Sequence, residues 1–198
     1  MSPLHWSTDM ALVPVDIWTI SLTDPRPAIL TSDELLRASR FHFAQDREHW
    51  TAAHTALRVI LAGYVKTPPL DLTFATGPHG KPALTNSPLQ FNLSHSRGWA
   101  MVAVCPTAPV GVDLEAIREK LDIAKLLTRT GETNLPTGPQ ALFQRWTERE
   151  SRTKAAGIPL LQQPDANIFS VAINAPAGFA ASVALVGATP LPNYCGSV

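Results

Sequence analysis

The sequence predicts an α+β protein in a pattern compatible with two related halves, and three observations carry that prediction. Val13 to Ile20 and Val110 to Glu115 alternate apolar with other residues at the period of two that marks a strand. Two longer stretches, about 46–64 and 140–156, space their apolar residues three and four apart, as a helix does. Between them lies a break at Pro106 to Pro109, and helical and hairpin segments of similar kinds occur on both sides of it. The boundary divides residues 1–107 from residues 108–198.

Composition bounds the class. With 198 residues, 45% of them hydrophobic and 16% charged, the chain can bury a core and is too apolar for disorder. Its formal net charge is zero, which gives nucleic acid or an anionic membrane no general attraction, so any basic site is local. The 18 prolines imply short elements. Cys105 and Cys195 match no metal spacing and form no disulfide framework, which points to a reducing compartment. The chain opens without a basic-then-apolar signal, and no run approaches ~18 apolar residues. A soluble cytoplasmic protein is the expectation.

In chain order, residues 1–11 read as a loose lead-in. The first strand runs from Val13 to about Ile20, and Pro14 places it at a sheet edge. Thr31 to Glu34 is a capping box that opens a short helix carrying Arg37 and Arg40. In the following helix Trp50, His54, Leu57, Leu61 and Tyr64 form one stripe, ended by Gly63 and the Pro68-Pro69 pair. His54 reads as a core histidine, and Arg47 and Arg58 as solvated. Arg37, Arg40 and Arg47 gather cations near the helix junction, a candidate anion site. Leu70, Leu72 and Phe74 suggest a second strand, and Gly77 to Pro82 a turn carrying Lys81. Residues 89–105 read as a hairpin with Ser94 to Gly98 as its turn.

The strand at 110–115 opens the second half. Ile117 to Leu127 is helical in pattern, with Ile117, Leu121 and Ala124 on one side, and 128–139 is a polar loop containing Glu132. The helix at 140–156 sets Leu142, Phe143, Trp146 and Arg149 at the core boundary and stops at Gly157. Strands follow at 167–173 and 179–186. The tail, 188–198, is rich in proline and small residues and is expected to fray.

Asp113 and Glu115 leave one strand face about 6–7 Å apart. Carboxylates that close resist ionising together, and a hard cation such as Mg²⁺ between them removes the conflict. Glu150 and Lys154, four apart, share a helix face. Three carboxylates with scattered lysine, arginine and histidine suit a metal-bound phosphate ester. Residue types and spacing alone leave the substrate open. A Ser94-His95 hydrolase pair is excluded, because adjacent hairpin residues cannot readily face each other and no buried acid orients the ring.

Five segments together go further: Ser39 to Arg47, Gly80-Lys81-Pro82, Phe91 to Ser96, Val110 to Glu115, and Trp146 to Ala155. In that order the chain resembles the 4′-phosphopantetheinyl transferases of the surfactin-synthetase-activating type, over about residues 13–186. The resemblance implies a monomeric fold of two α+β halves related by a pseudo-twofold, with coenzyme A between them. It implies transfer of the phosphopantetheine arm to a serine of an apo acyl or peptidyl carrier protein, dependent on Mg²⁺. The co-product would be adenosine 3′,5′-bisphosphate. Asp113, Glu115 and Glu150 would hold the metal, with Glu150 also the base on the carrier serine and Lys154 steadying the pyrophosphate. Lys81 and Pro82 would meet the adenine side, and Ser94, His95 and Arg37 the 3′-phosphate, with Arg40 beside them. A phosphate contact by His95 asks for a protonated ring, so affinity should weaken above about pH 7.

Three departures accompany the resemblance. Arg149 stands where the family has lysine. The 116–145 segment is short, and Leu-Thr replaces an aromatic-serine pair before Glu132. Trp50 occupies a position that often carries a small hydroxyl residue. The short segment and its Leu-Thr element motivate the alternative expectation, a non-catalytic coenzyme A or carrier-protein binding module.

Overall fold

The computed structural model describes residues 11–24, 26–119 and 122–197. The lead-in at 1–10 and Leu121 of the expected helical stripe lie outside the described residues.

Alternating side chains shape the first strand, β1 (Leu12–Ser21), which sends Val15 and Ile17 to one side and Ile20 to the other. Thr31 caps α1 (Ser32–Ala38) through the expected box: its hydroxyl accepts from the Glu34 N–H, and the Glu34 carboxylate accepts from the Thr31 N–H. α2 (Ala44–Val65) runs past Gly63 and ends at Lys66, whose left-handed φ of 54° closes the helix. Gly63 is thus a helical residue and not a stop. Leu70 sits in a single 3₁₀ turn, Pro69–Asp71, and strand geometry begins only at β2 (Phe74–Thr76). β3 (Pro82–Leu84) pairs with it. β4 (Gln90–Ser96) and β5 (Trp99–Cys105) form a hairpin whose turn is only Arg97-Gly98. Ser94, His95 and Ser96 are therefore strand residues, and alternation turns Ser94 and His95 to opposite faces.

The second part repeats this connectivity. β6 (Val110–Ala116) is followed by α3 (Ile123–Arg129), which starts later than the sequence pattern suggests, and by α4 (Pro139–Ala156). The hairpin of β7 (Ile168–Ala172) and β8 (Phe179–Val186) closes the unit. In both parts a strand leads to helices and then to a hairpin whose last strand takes the centre of the sheet, giving β4-β5-β1 and β6-β8-β7.

The tail does not fray. Thr189–Ser197 forms β9, which pairs in parallel with β1 as the outer strand of the first sheet. The Thr189 N–H donates to the Ala11 carbonyl, so period-two alternation turns Pro190 and Pro192 away from β1. Their missing donors fall on the free edge, where they discourage further pairing. β1 is consequently an interior strand. Pro14 is tolerated because pairing with β5 begins only at Asp16, so at Pro14 the sheet has one neighbour alone.

Side-chain clusters fix the layer order. Ala53, Leu57 and Leu61 of α2 pack on Ile20, Val102 and Val104 of the first sheet. Its other face meets the second sheet through Val15, Ile17, Met101, Val112, Leu114, Val183 and Leu185. Phe143 and Trp146 of α4 cover the far side at Ala180, and Ala155 covers Ala184. β5 and β8, covered on both faces, are accordingly almost continuously apolar. Among the described residues no helix is long and apolar enough to cross a membrane.

Candidate active site between the two sheets

β4 and β6 are edge strands of different sheets, and β4 covers the β6 edge with side chains. The Val112 N–H donates to Asn92 Oδ1 at 2.9 Å, the Leu114 N–H to Ser94 Oγ at 3.2 Å, and the Ala116 N–H to Ser96 Oγ at 3.1 Å. Alternate β4 residues thus satisfy alternate β6 donors. Each hydroxyl then donates onward: Ser94 to Asp113 Oδ1 at 3.0 Å, and Ser96 to Glu115 Oε2 at 3.1 Å. The strand period places both carboxylates beside this ladder.

α4 brings the remaining groups. Gly111 makes its approach possible, because a Cβ there would sit 2.1 Å from the Ser151 carbonyl oxygen and 2.3 Å from the Ala155 nitrogen. At that distance Lys154 Nζ reaches Asp113 Oδ1 at 2.5 Å and Ser94 Oγ at 3.1 Å. Asp113 is 2% exposed, and its Oδ2 is buried with no hydrogen-bond partner among the described residues. Burial opposes charge on Lys154, but Asp113, Glu150 and Glu115 outweigh it and hold the amine above its usual value.

The acids answer to the same field. Burial, then the charges of Asp113 and Glu115, raise Glu150 to about 7, against Lys154 and Arg149. Burial and Asp113 likewise raise Glu115, despite the Ser96 bond and Arg118. Hydrogen bonds therefore join Asp113, Lys154 and Ser94, and Glu115 and Glu150 lie near enough to feel the charge of Asp113. Among the described residues no three His, Cys, Asp or Glu side chains converge closely enough to hold a metal ion. The donors themselves suit one: hard oxygens, mutual repulsion that a cation relieves, and an orphaned buried carboxylate oxygen.

On the His95 side of β4 lies a cavity of about 780 Å³ between α1, α2 and the β2–β3 loop, lined among others by Arg37, Trp50, His54, Arg58, Pro82 and His95. Trp50 stacks on His54 at 3.8 Å between centroids, and Arg37 lies over the indole at 5.5 Å. His54 Nδ1 bonds the Trp50 carbonyl, and burial lowers this histidine to about 4. His95 is held below its ordinary value by desolvation, then by Lys154 and His49. The protonated ring asked of a phosphate contact is thus reached at a more acid pH than the sequence suggests.

One assignment changes, and the structure adds the surroundings of several other cations. Arg58 is not solvated: it is 3% exposed, donates to Glu34 at 2.8 Å, and ties down the Pro69 and Leu72 carbonyls. Its partners are mostly backbone atoms, which residue spacing does not signal. Arg40 and Arg47 are exposed, and neither lines this cavity. Lys81 turns its amine to backbone carbonyls of Val110 and Ala155, at 3.0 and 2.9 Å. Arg149 is buried and grips the Gln162 carbonyl, Gln163 and Glu132, while Glu132 also pairs with Arg145.

Comparison with known proteins adds an independent line. A family model described as 4′-phosphopantetheinyl transferase, N-terminal, matches residues 24–107. The 4′-phosphopantetheinyl transferase HetI of a Nostoc species is 38% identical over 162 residues, covering 72% of this chain and 68% of that protein. The 4′-phosphopantetheinyl transferase psf-1 of Bacillus pumilus is 36% identical over 128 residues, 61% of this chain and 54% of the relative. A 4′-phosphopantetheinyl transferase of Bacillus subtilis is 26% identical over 142 residues, 68% and 63% of the two chains.

Proposed function

The chain belongs to the 4′-phosphopantetheinyl transferase family, and from that premise we propose that it moves the phosphopantetheine arm of coenzyme A to a serine of an apo acyl or peptidyl carrier protein. The observation that carries this reading is the buried cluster in which Lys154 and Ser94 hold Asp113, with the charges of Glu115 and Glu150 beside it. A carboxylate in such a cluster is placed to accept the proton of an incoming hydroxyl.

In the proposed reaction Glu150 takes the proton of the carrier serine. The serine oxygen attacks the phosphorus next to the pantetheine arm, and the bond to the bridging pyrophosphate oxygen breaks. Adenosine 3′,5′-bisphosphate departs with that oxygen. Lys154, pinned by Asp113 and Ser94, presents a fixed positive charge to the phosphate oxygens and needs no reorganisation as charge develops. Asp113, Glu115 and Glu150 would hold Mg²⁺, which when bound supplies charge neutralisation at the pyrophosphate. The cavity of about 780 Å³ is read as the nucleotide site, with Arg37, Pro82 and His95 on its walls. We read the repeated connectivity of the two parts as a pseudo-twofold within a single-chain enzyme of 1–107 and 108–198.

The test follows the nucleotide product. Incubated with coenzyme A, Mg²⁺ and an apo carrier protein, the enzyme should release one adenosine 3′,5′-bisphosphate per modified carrier, and chelation of the metal should stop both. Release of bisphosphate without carrier modification would replace transfer by hydrolysis and refute the reading.

A further inference from the structure

Lys81 sits in the loop between β2 and β3, yet its ammonium leaves that hairpin and enters the junction of β6 and α4. It donates to the Val110 carbonyl at 3.0 Å and to the Ala155 carbonyl at 2.9 Å. Both acceptors are otherwise exposed to loss. The Ala155 carbonyl belongs to the last turn of α4, where no intrahelical N–H follows, since Gly157 and Ile158 turn back to Thr153 and Lys154. Val110 begins the β6 edge whose N–H groups at Val112, Leu114 and Ala116 are taken by β4 side chains. A cation at the C-terminal end of a helix also meets the favourable end of its dipole. The aliphatic stem packs at 3.5 Å from where a Cβ on Gly157 would lie.

These contacts converge on the close approach at Gly111. Ala155 is the residue after Lys154, and Val110 lies three residues before Asp113, so one ammonium fixes strand and helix on either side of the Lys154–Asp113 pair. We propose that Lys81 is a positioning residue: it clamps the end of α4 to the start of β6 and so sets Lys154 and Glu150 against Asp113. It does not contact the nucleotide. This rests on the transferase reading of that cluster. It stands in place of an adenine-side role for this side chain, because two of the ammonium's three donors go to backbone carbonyls of the junction and Lys81 is not among the residues lining the His95 cavity. Burial lowers this amine to about 8, in keeping with its place in the junction.

The experiment compares the full-length wild type with Lys81→Met, which keeps the stem and removes the donors, and Lys81→Arg, which keeps donors for two carbonyls. Three quantities are read: kcat and KM for coenzyme A, the Kd of adenosine 3′,5′-bisphosphate, and amide hydrogen exchange along α4 and β6. Positioning predicts that Lys81→Met loses at least about tenfold in kcat, while KM and Kd stay within about twofold. Exchange should quicken at 153–158 and 110–116 and not in β5, and Lys81→Arg should regain most of the rate. A tenfold rise in KM and Kd with kcat unchanged would make Lys81 a nucleotide contact and overturn the proposal. Unchanged exchange at both segments would overturn it as well. If Lys81→Met does not fold, Lys81→Gln, which loses the charge and the reach to the two carbonyls, is read by the same split between kcat and KM. Should the wild type modify no carrier, the transferase reading fails, and the exchange comparison still tests the clamp.

Discussion

Asp113 carries more of the site than any other side chain, since one of its oxygens takes both Lys154 and Ser94 and the other has no hydrogen-bond partner among the described residues. Its neighbours on β6 and α4 follow from local periodicity: two residues along a strand, or four along a helix, share a face. Asp113 with Glu115, and Glu150 with Lys154, were therefore readable as two pairs. That the pairs meet depends on Gly111, which no period marks. Arg58 was misread, and the destination of the Lys81 amine left unread, for a related reason: their carbonyl acceptors lie 11 to 74 residues away and any residue type supplies a carbonyl. His54 gives the residue-scale prediction. Its folded pKa of about 4 lies below the ordinary 6.5, so the unfolded chain binds the extra proton between those values. Stability is fully present above about pH 6.5 and falls as pH drops toward 4. The loss between pH 7 and pH 5 should be about 2 kcal/mol. Urea midpoints at the two pH values measure it, and His54→Phe should largely remove the difference; an equal loss in both proteins would discharge His54 from this role.

At the scale of elements, the site depends on one edge and one crossing. β4 lends hydroxyl and amide side chains to a β6 edge that pairs with no strand among the described residues, and those same hydroxyls orient Asp113 and Glu115. Reading Ser94 to Gly98 as a turn missed this, because Ser and Gly are common in turns, whereas here strand alternation continues through Ser94 and Ser96 and leaves only Arg97-Gly98 to turn. The crossing is α4 on β6. Gly111→Ala would drive a methyl group into the backbone of α4 at Ser151 and Ala155. Neither backbone can swing aside as a side-chain tip would, so the cost should reach about 3 kcal/mol, the upper end for overpacking. Urea unfolding should show that loss, and any folded fraction should transfer poorly because Lys154 and Glu150 move with the helix. A Gly111→Ala protein of full stability and full rate would refute the close approach.

Over the whole molecule, the two-part α+β class was legible because both strand periods and both helix stripes are strong. The interlocking of the parts was not. β9 returns to the first sheet beside β1, and its prolines read as a fraying tail although they sit where the ladder needs no donor. A network continues that tie, with Asp16 accepting from Tyr64 of α2 at 2.5 Å and from Asn193 of β9 at 2.7 Å. The packed sheets and the side-chain ladder hold the acids and Lys154 next to the His95 cavity, and the proposed transfer requires that whole arrangement. The most direct measurement is the intact mass of an apo carrier protein after incubation with coenzyme A, Mg²⁺ and the enzyme, across a panel of acyl and peptidyl carriers. Wild type should add the mass of one phosphopantetheinyl group to at least one carrier, while folded Asp113→Asn and Glu150→Gln proteins should add none. Mass gain at the wild-type rate with both variants would contradict the account, as would no gain on any carrier by the wild type.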